Sequence, residues 1–189
     1  MASKIKVDQI QTGDGTGTIA LQNQLSGMTH ASVPTLTTGH MPAGNIINVY
    51  HHSLGSNTIQ SNSTSFVATG LTIGPITPVS ASSKFWITFS SSPHMNSANS
   101  TDWGHYFVYR DSTRTSIGGG MRWEGDTTAW RTFNQTTQGL DAPNTTSAIT
   151  YTVRFNTGDG QFHFHVGSHL SGNDSPGTGC DLTILEIKG

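Results

Sequence analysis

From residue 45 onward, apolar and polar positions alternate with a period of two, and runs of Gly, Ser, Thr, Asn and Pro interrupt them. This pattern predicts short strands joined by turns. The strand candidates fall at 45–52, 64–69, 84–90, 104–110, 117–123, 130–134, 149–155, 161–166 and 181–187. Ile149, Tyr151, Val153 and Phe155 share one face of their segment, with Thr150, Thr152 and Arg154 on the other. Asn156-Thr157-Gly158-Asp159-Gly160 reads as a turn into Phe162, Phe164 and Val166, so these two segments are expected to form a hairpin. No helical period separates the strands, so the expected fold is all-β, an antiparallel β-sandwich of jelly-roll type. Each buried Phe or Ile is worth about 1.5–3 kcal/mol, and four or five such faces suffice to hold a domain of roughly 145 residues.

The first 44 residues differ. Ser3 to Ile10 alternates, a Gly-rich run from Gln11 to Gly17 breaks the pattern, and Thr18-Ile19-Ala20-Leu21 briefly resumes it. These pieces are too short for a core of their own. Residues 30–44 carry Pro34 and Pro42 among Thr and Gly, a linker composition. The expected organisation is an extended N-terminal docking arm and linker over 1–44, followed by the β-sandwich domain over 45–189. The arm is expected to gain order by pairing with something else through Ile5, Val7, Ile10, Ile19, Leu21, Leu25 and Met28. A disordered tail is the plain alternative, and the regular Ile5/Val7 and Ile19/Leu21 spacing argues against it.

Composition sharpens the picture. Gly, Ser, Thr and Asn fill 83 of 189 positions, against 20 charged residues. That mixture suits strands and turns and nearly excludes a helical fold. A net charge of -2 leaves no excess of cations to displace counterions, so no nucleic-acid partner is expected. The single Cys180 cannot form an internal disulfide. The first residues lack the apolar centre of a secretory signal, and no segment approaches the roughly 20 apolar residues of a membrane helix, so membrane insertion is not expected. No Asp, Glu, Lys or Arg occurs between Asp14 and Lys84. A surface of hydroxyls and amides strips no ion of water when it is buried, so a protein–protein contact is expected from that stretch.

Candidate chemistry is sparse. His163 and His165 fall on one face of a strand about 7 Å apart, too few ligands to close a metal site within one chain. Symmetry-related copies meeting on an axis could complete it. His51 and His52 fall on opposite faces. Glu124, Asp126 and Asp102 lie beside Trp123 and Trp103, the minimum for glycoside hydrolysis, but Glu124-Gly125-Asp126 reads as a turn, where acids are ordinarily exposed caps. Saccharide binding without cleavage is the better-supported option. Trp103, Trp123 and Trp130, with Tyr106 and Tyr109, offer stacking surfaces, and Asp126 offers a hydroxyl acceptor; core packing competes for every ring that faces inward. The run Gly13 to Gly17 lacks the Lys of a phosphate loop, and no Gly-x-Ser-x-Gly elbow occurs. No catalytic residue and no cofactor is expected.

The order of several short motifs carries a resemblance. Ser3-Lys4-Ile5-Lys6-Val7-Asp8, then Gly17-Thr18-Ile19-Ala20-Leu21 and Leu25-Ser26-Gly27-Met28, resembles the N-terminal arm of small tail-fibre-like and virion structural proteins of marine and cyanobacterial bacteriophages. Thr64-Ser65-Phe66-Val67, Tyr109-Arg110-Asp111-Ser112, Leu140-Asp141-Ala142-Pro143 and Leu182-Thr183 are similar to the C-terminal β-domain of that group. The resemblance implies a non-enzymatic virion protein, a short fibre or a capsid-decorating subunit, assembled in the host cytoplasm. It implies a homotrimer, with other capsid or tail proteins as partners and a host-surface glycan as the alternative ligand. It assigns no role to His51, His52, His163, His165 or the segment from Trp123 to Trp130.

Overall fold

A computed structural model describes residues 9–11, 18–20, 41–54, 58–96, 101–124, 131–132, 134–158, 161–165 and 180–189. Of these, 9–11, 18–20, 58–60, 94–96, 101–102, 123–124, 131–132 and 161–165 are described as backbone only. The chain divides into two units, Met1–Met41 and Pro42–Gly189. In the first, β1 (Gln9–Gln11) pairs antiparallel with β2 (Thr18–Ala20), and Ile10 stands opposite Ile19. A ribbon this short cannot bury a core. The second unit holds β3 (Ile46–Leu54), β4 (Thr58–Ser61), β5 (Val67–Ile76), β6 (Lys84–Ser91), β7 (His94–Asn96), β8 (Thr101–Arg110), β9 (Thr113–Glu124), β10 (Arg131–Thr132), β11 (Gln135–Asp141), β12 (Ile149–Thr157), β13 (Gln161–His165) and β14 (Cys180–Ile187). No helix occurs among the described residues.

Two antiparallel four-stranded sheets pack face to face as a β-sandwich. The first has the order β11-β6-β14-β3 and the second β5-β12-β8-β9. In chain order the eight strands visit first, second, first, second, second, first, second and first sheet, the double Greek-key path of a jelly roll. A third sheet, β10-β7-β13-β4, prolongs the first: β4, β7 and β10 lie two or three residues along the chain from β3, β6 and β11.

Strict alternation builds the core. Phe85, Ile87 and Phe89 on β6, Leu182 and Ile184 on β14, and Tyr151, Val153 and Phe155 on β12 are all fully buried. Phe85 meets Tyr151 at 5.8 Å and Phe89 meets Tyr106 at 5.1 Å between ring centroids, joining the sheets through aromatic contacts. Two polar ties reinforce them. On one, Arg110 of β8 reaches both carboxylate oxygens of Asp141 on β11 (2.8 and 2.6 Å), and the hydroxyl of buried Tyr151 donates to the same carboxylate at 2.7 Å. On the other, Glu186 is fully buried and accepts from the Val79 amide (2.7 Å), Asn48 Nδ2 (2.8 Å) and the Tyr50 hydroxyl (3.5 Å).

The strands depart from the expected ones in three places. Residues 149–155 and 161–166 do not form a hairpin. Both edges of β12 are occupied, by β5 and β8, so β13 finds its partners β4 and β7 in the third sheet. Gln135–Asp141 is a strand although its sequence, QTTQGLD, has one large apolar residue; it pairs along its whole length with β6, from Gln135 opposite Ser91 to Asp141 opposite Phe85. Of residues 130–134, Arg131–Thr132 form β10 and Asn134 lies outside a strand, while residues 130 and 133 lie outside the described residues. At the domain junction, Gly44 N–H donates to Lys188 O (2.7 Å) and Lys188 N–H to Asn45 O (2.9 Å), which ties the chain from residue 44 onward to the end of β14.

Candidate functional site

The site grows from the alternation of β8. Tyr106 and Val108 point into the core, so Trp103, His105, Phe107 and Tyr109 fall on the outer face of the second sheet. Four successive outward rings exceed what a solvated face requires, and the partner strand accommodates them with three consecutive glycines. Gly118 stands opposite Phe107, and Gly120 opposite His105. A Cβ on either would collide with the facing ring, and one on Gly119 would lie 2.6 Å from Tyr106 Oη on the core side. The glycines let the rings approach the strand closely.

The ring row divides into a covered and an open half. Phe66 lies 5.7 Å from Phe107 and 5.8 Å from Tyr109. The Arg114 guanidinium sits 4.7 Å above Phe107, and that of Arg154 4.5 Å above Tyr109. Cations stacked on exposed rings contribute about 0.5–1 kcal/mol each. In the open half, Trp103 and His105 lie 4.8 Å apart with their planes at 42°. Gly158 donates its N–H to Trp103 O at 2.9 Å, and a Cβ there would touch the indole. Arg122 stands directly across from Trp103 on β9. Trp103, His105, Gly120, Met121 and Arg122 enclose a shallow recess of about 520 Å³, inside the range of about 300–1,000 Å³ that small-ligand sites occupy.

Of the saccharide candidates, Trp103 lines this recess. Trp123 holds the register position opposite Asp102, one residue out of step with Trp103, and its side chain lies outside the described residues, as do Asp126 and Trp130 altogether. Tyr106 is corrected to a core residue, 2 % exposed, and its burial raises the hydroxyl pKa above the ordinary 10.0. Glu124 stands opposite Thr101, so the register sets it and Asp102 on opposite faces of the sheet. His163 is paired in register with His94 and Gln60, and His165 with Thr58; their side chains lie outside the described residues. No group of three metal-ligating side chains occurs among the described residues. His51 and His52 do point to opposite faces. His51 is exposed, 3.4 Å from Asp181, while His52 Nδ1 lies 2.7 Å from Thr72 O and bridges the two sheets. Of the arm residues, Ile10 and Ile19 are paired, and Ile5, Val7, Leu21, Leu25 and Met28 lie outside the described residues.

Sequence reasoning missed His105, Phe107, Arg114, Arg122 and Arg154. The available signal was the run Gly118-Gly119-Gly120 inside a strand beside a segment with rings at every second position. No family model matches the chain, and no curated protein is similar to it.

Proposed function

We propose that the protein is a non-enzymatic structural subunit of a bacteriophage virion, a short fibre or capsid-decorating subunit, that docks through residues 1–44 and projects its jelly roll. The observation that carries this reading is the side of the sandwich formed by β3 and β5. Both edge strands come from the stretch without Asp, Glu, Lys or Arg. Natural sheets guard open edges with charge, proline or cover. β5 has Pro75, whereas β3 has neither a charged residue nor a proline and exposes Ile46 (51 %) and Val49 (65 %). From Val49 an apolar row runs across the outer face of the first sheet through Leu185 and Trp86 to Leu140, each residue in register with the next. Such a surface loses little by burial against a neighbour and favours self-association, for which a homotrimer is our proposal. Capsid or tail proteins are the arm's partners, and the virion, assembled in the host cytoplasm, is its location. Deleting residues 1–28 tests the docking role: the domain keeps its circular dichroism and urea midpoint while incorporation into particles is lost. Incorporation without those residues contradicts it.

The recess beside Trp103 favours a second reading, in which the projected domain binds a host-surface saccharide. An indole in a shallow recess is the stacking surface that a pyranose face requires, and His105 and Arg122 supply polar groups at its rim. Glycan-array binding that disappears in Trp103→Ala supports this reading, and an empty array removes it.

A further inference from the structure

We infer that the third sheet carries a binding site for one transition-metal ion of the zinc type, held within a single chain by His94, His163 and His165. Backbone register brings these residues together. His163 and His165 are separated by one residue on β13, so they share a face about 7 Å apart. On the neighbouring strand β7, His94 stands directly opposite His163. Opposed residues of an antiparallel pair share a face at about 4.5–5.5 Å, and the diagonal, here from His94 to His165, spans about 7–8 Å. The three positions form a small triangle across two adjacent strands. His94 is the member that sequence spacing does not reveal, because it lies far from the other two along the chain and only the β7–β13 pairing joins them.

The rest of that face sets the class of ion. Thr132 stands in register beside His94, Gln60 beside His163 and Thr58 beside His165, with Asn96 and Gln161 paired in the next row. Ile59, Met95, Phe162 and Phe164 take the opposite face, so the histidines belong to the polar one. Among the described residues this polar face holds no Asp, Glu or Cys. Calcium and magnesium require oxygen ligands, usually with carboxylates among them. Imidazole nitrogens instead suit zinc, copper, nickel and cobalt. Three of them at about 2.0–2.1 Å leave one tetrahedral position for water. Such an ion would also link β7 to β13, whose pairing is only three residues long, and so would stabilise the folded chain by linkage.

The experiment strips the full-length protein with a chelator, then titrates it with Zn2+ by calorimetry and with Co2+ by visible absorption. The expected result is one ion per chain, with Co2+ bands of a tetrahedral site that Zn2+ abolishes and a higher melting temperature in the presence of Zn2+. His94→Gln, His163→Gln and His165→Gln each weaken Zn2+ binding by about 100-fold or more, since even an outer-shell partner is worth about 10–100-fold. His51→Gln, at an exposed imidazole on the first sheet, leaves binding unchanged. Circular dichroism equal to that of the metal-free natural chain shows that each variant keeps its fold, and the stoichiometry and Co2+ spectrum of the natural chain stand without any variant. No Zn2+ binding at micromolar concentrations overturns the inference. Binding that survives His94→Gln, or that His51→Gln weakens equally, also overturns it. So does one ion per three chains, which would place the ion on an axis between copies.

Discussion

Replacing Asp141 by Leu separates what the inter-sheet tie contributes from what its loss costs. Arg110 and Asp141 are 24 % and 15 % exposed, and Tyr151 not at all. With the carboxylate gone, the Tyr151 hydroxyl stays buried without an acceptor, a cost of about 1–3 kcal/mol. Arg110 loses its counter-ion but keeps some contact with water, so its share falls from the 3–5 kcal/mol of a fully buried pair to about 1–2 kcal/mol. Together these destabilise the fold by about 3 kcal/mol, which lowers the urea midpoint by about 1.5 M at an m-value near 2 kcal/mol/M. Removing all three polar groups at once, as Arg110→Met, Asp141→Leu and Tyr151→Phe, leaves nothing unsatisfied. That triple variant is expected within about 1 kcal/mol of the natural chain. Equilibrium urea unfolding followed by tryptophan fluorescence decides the matter. A single change that costs under about 0.5 kcal/mol, or a triple variant as unstable as the single, refutes the reasoning.

Other expected outcomes concern the same core. Burial, and secondarily Asp181, pushes the Cys180 thiol from 9.0 up to about 12, and burial with the Asp141 hydrogen bond raises the Tyr151 hydroxyl above 10.0. Raised values mean that the folded state favours the protonated forms, so this stability is complete below about pH 9 and is lost as pH climbs toward 12. Urea midpoints taken from pH 8 to 11 should fall, and Cys180→Ala should delay the onset by about one pH unit, given the ordinary values of 9.0 and 10.0. Glu186→Gln weakens the three bonds held by that carboxylate at a cost of about 1–3 kcal/mol; amide exchange at Val79 should accelerate, and unchanged exchange counts against the tie. Gly119→Ala forces a methyl against Tyr106 Oη and is expected to cost about 1–3 kcal/mol by overpacking; a variant melting at the natural temperature would show that the ring yields freely.

The sequence announced the inward half of this protein far better than the rest. Phe85/Ile87/Phe89 and Tyr151/Val153/Phe155 alternate cleanly because one face of each strand must leave water, so fold class and core were legible. β11 was not, because Thr136 to Gly139 have no apolar stripe and form a strand only since β6 offers a full edge. The 149–166 hairpin failed for the converse reason: turn chemistry is local, while which edges are already occupied is a property of the whole sheet. At the site, Trp103 was identifiable as an aromatic beside polar residues. Its relation to Arg122, to the stacked arginines and to the glycine run depends on a register across β8 and β9 that a single sequence does not display.

The proposed self-association turns on β3, which among the described residues pairs only with β14 and has no strand on its other edge. Sedimentation equilibrium of the full-length chain at micromolar concentrations tests it most directly, beside a variant with Ile46→Lys and Val49→Lys on β3. The expected result is a mass near three times 20.1 kDa for the natural chain, and the monomer mass for the variant with its circular dichroism unchanged. A natural chain that sediments as a monomer, or a doubly charged edge that leaves the oligomer intact, contradicts the account.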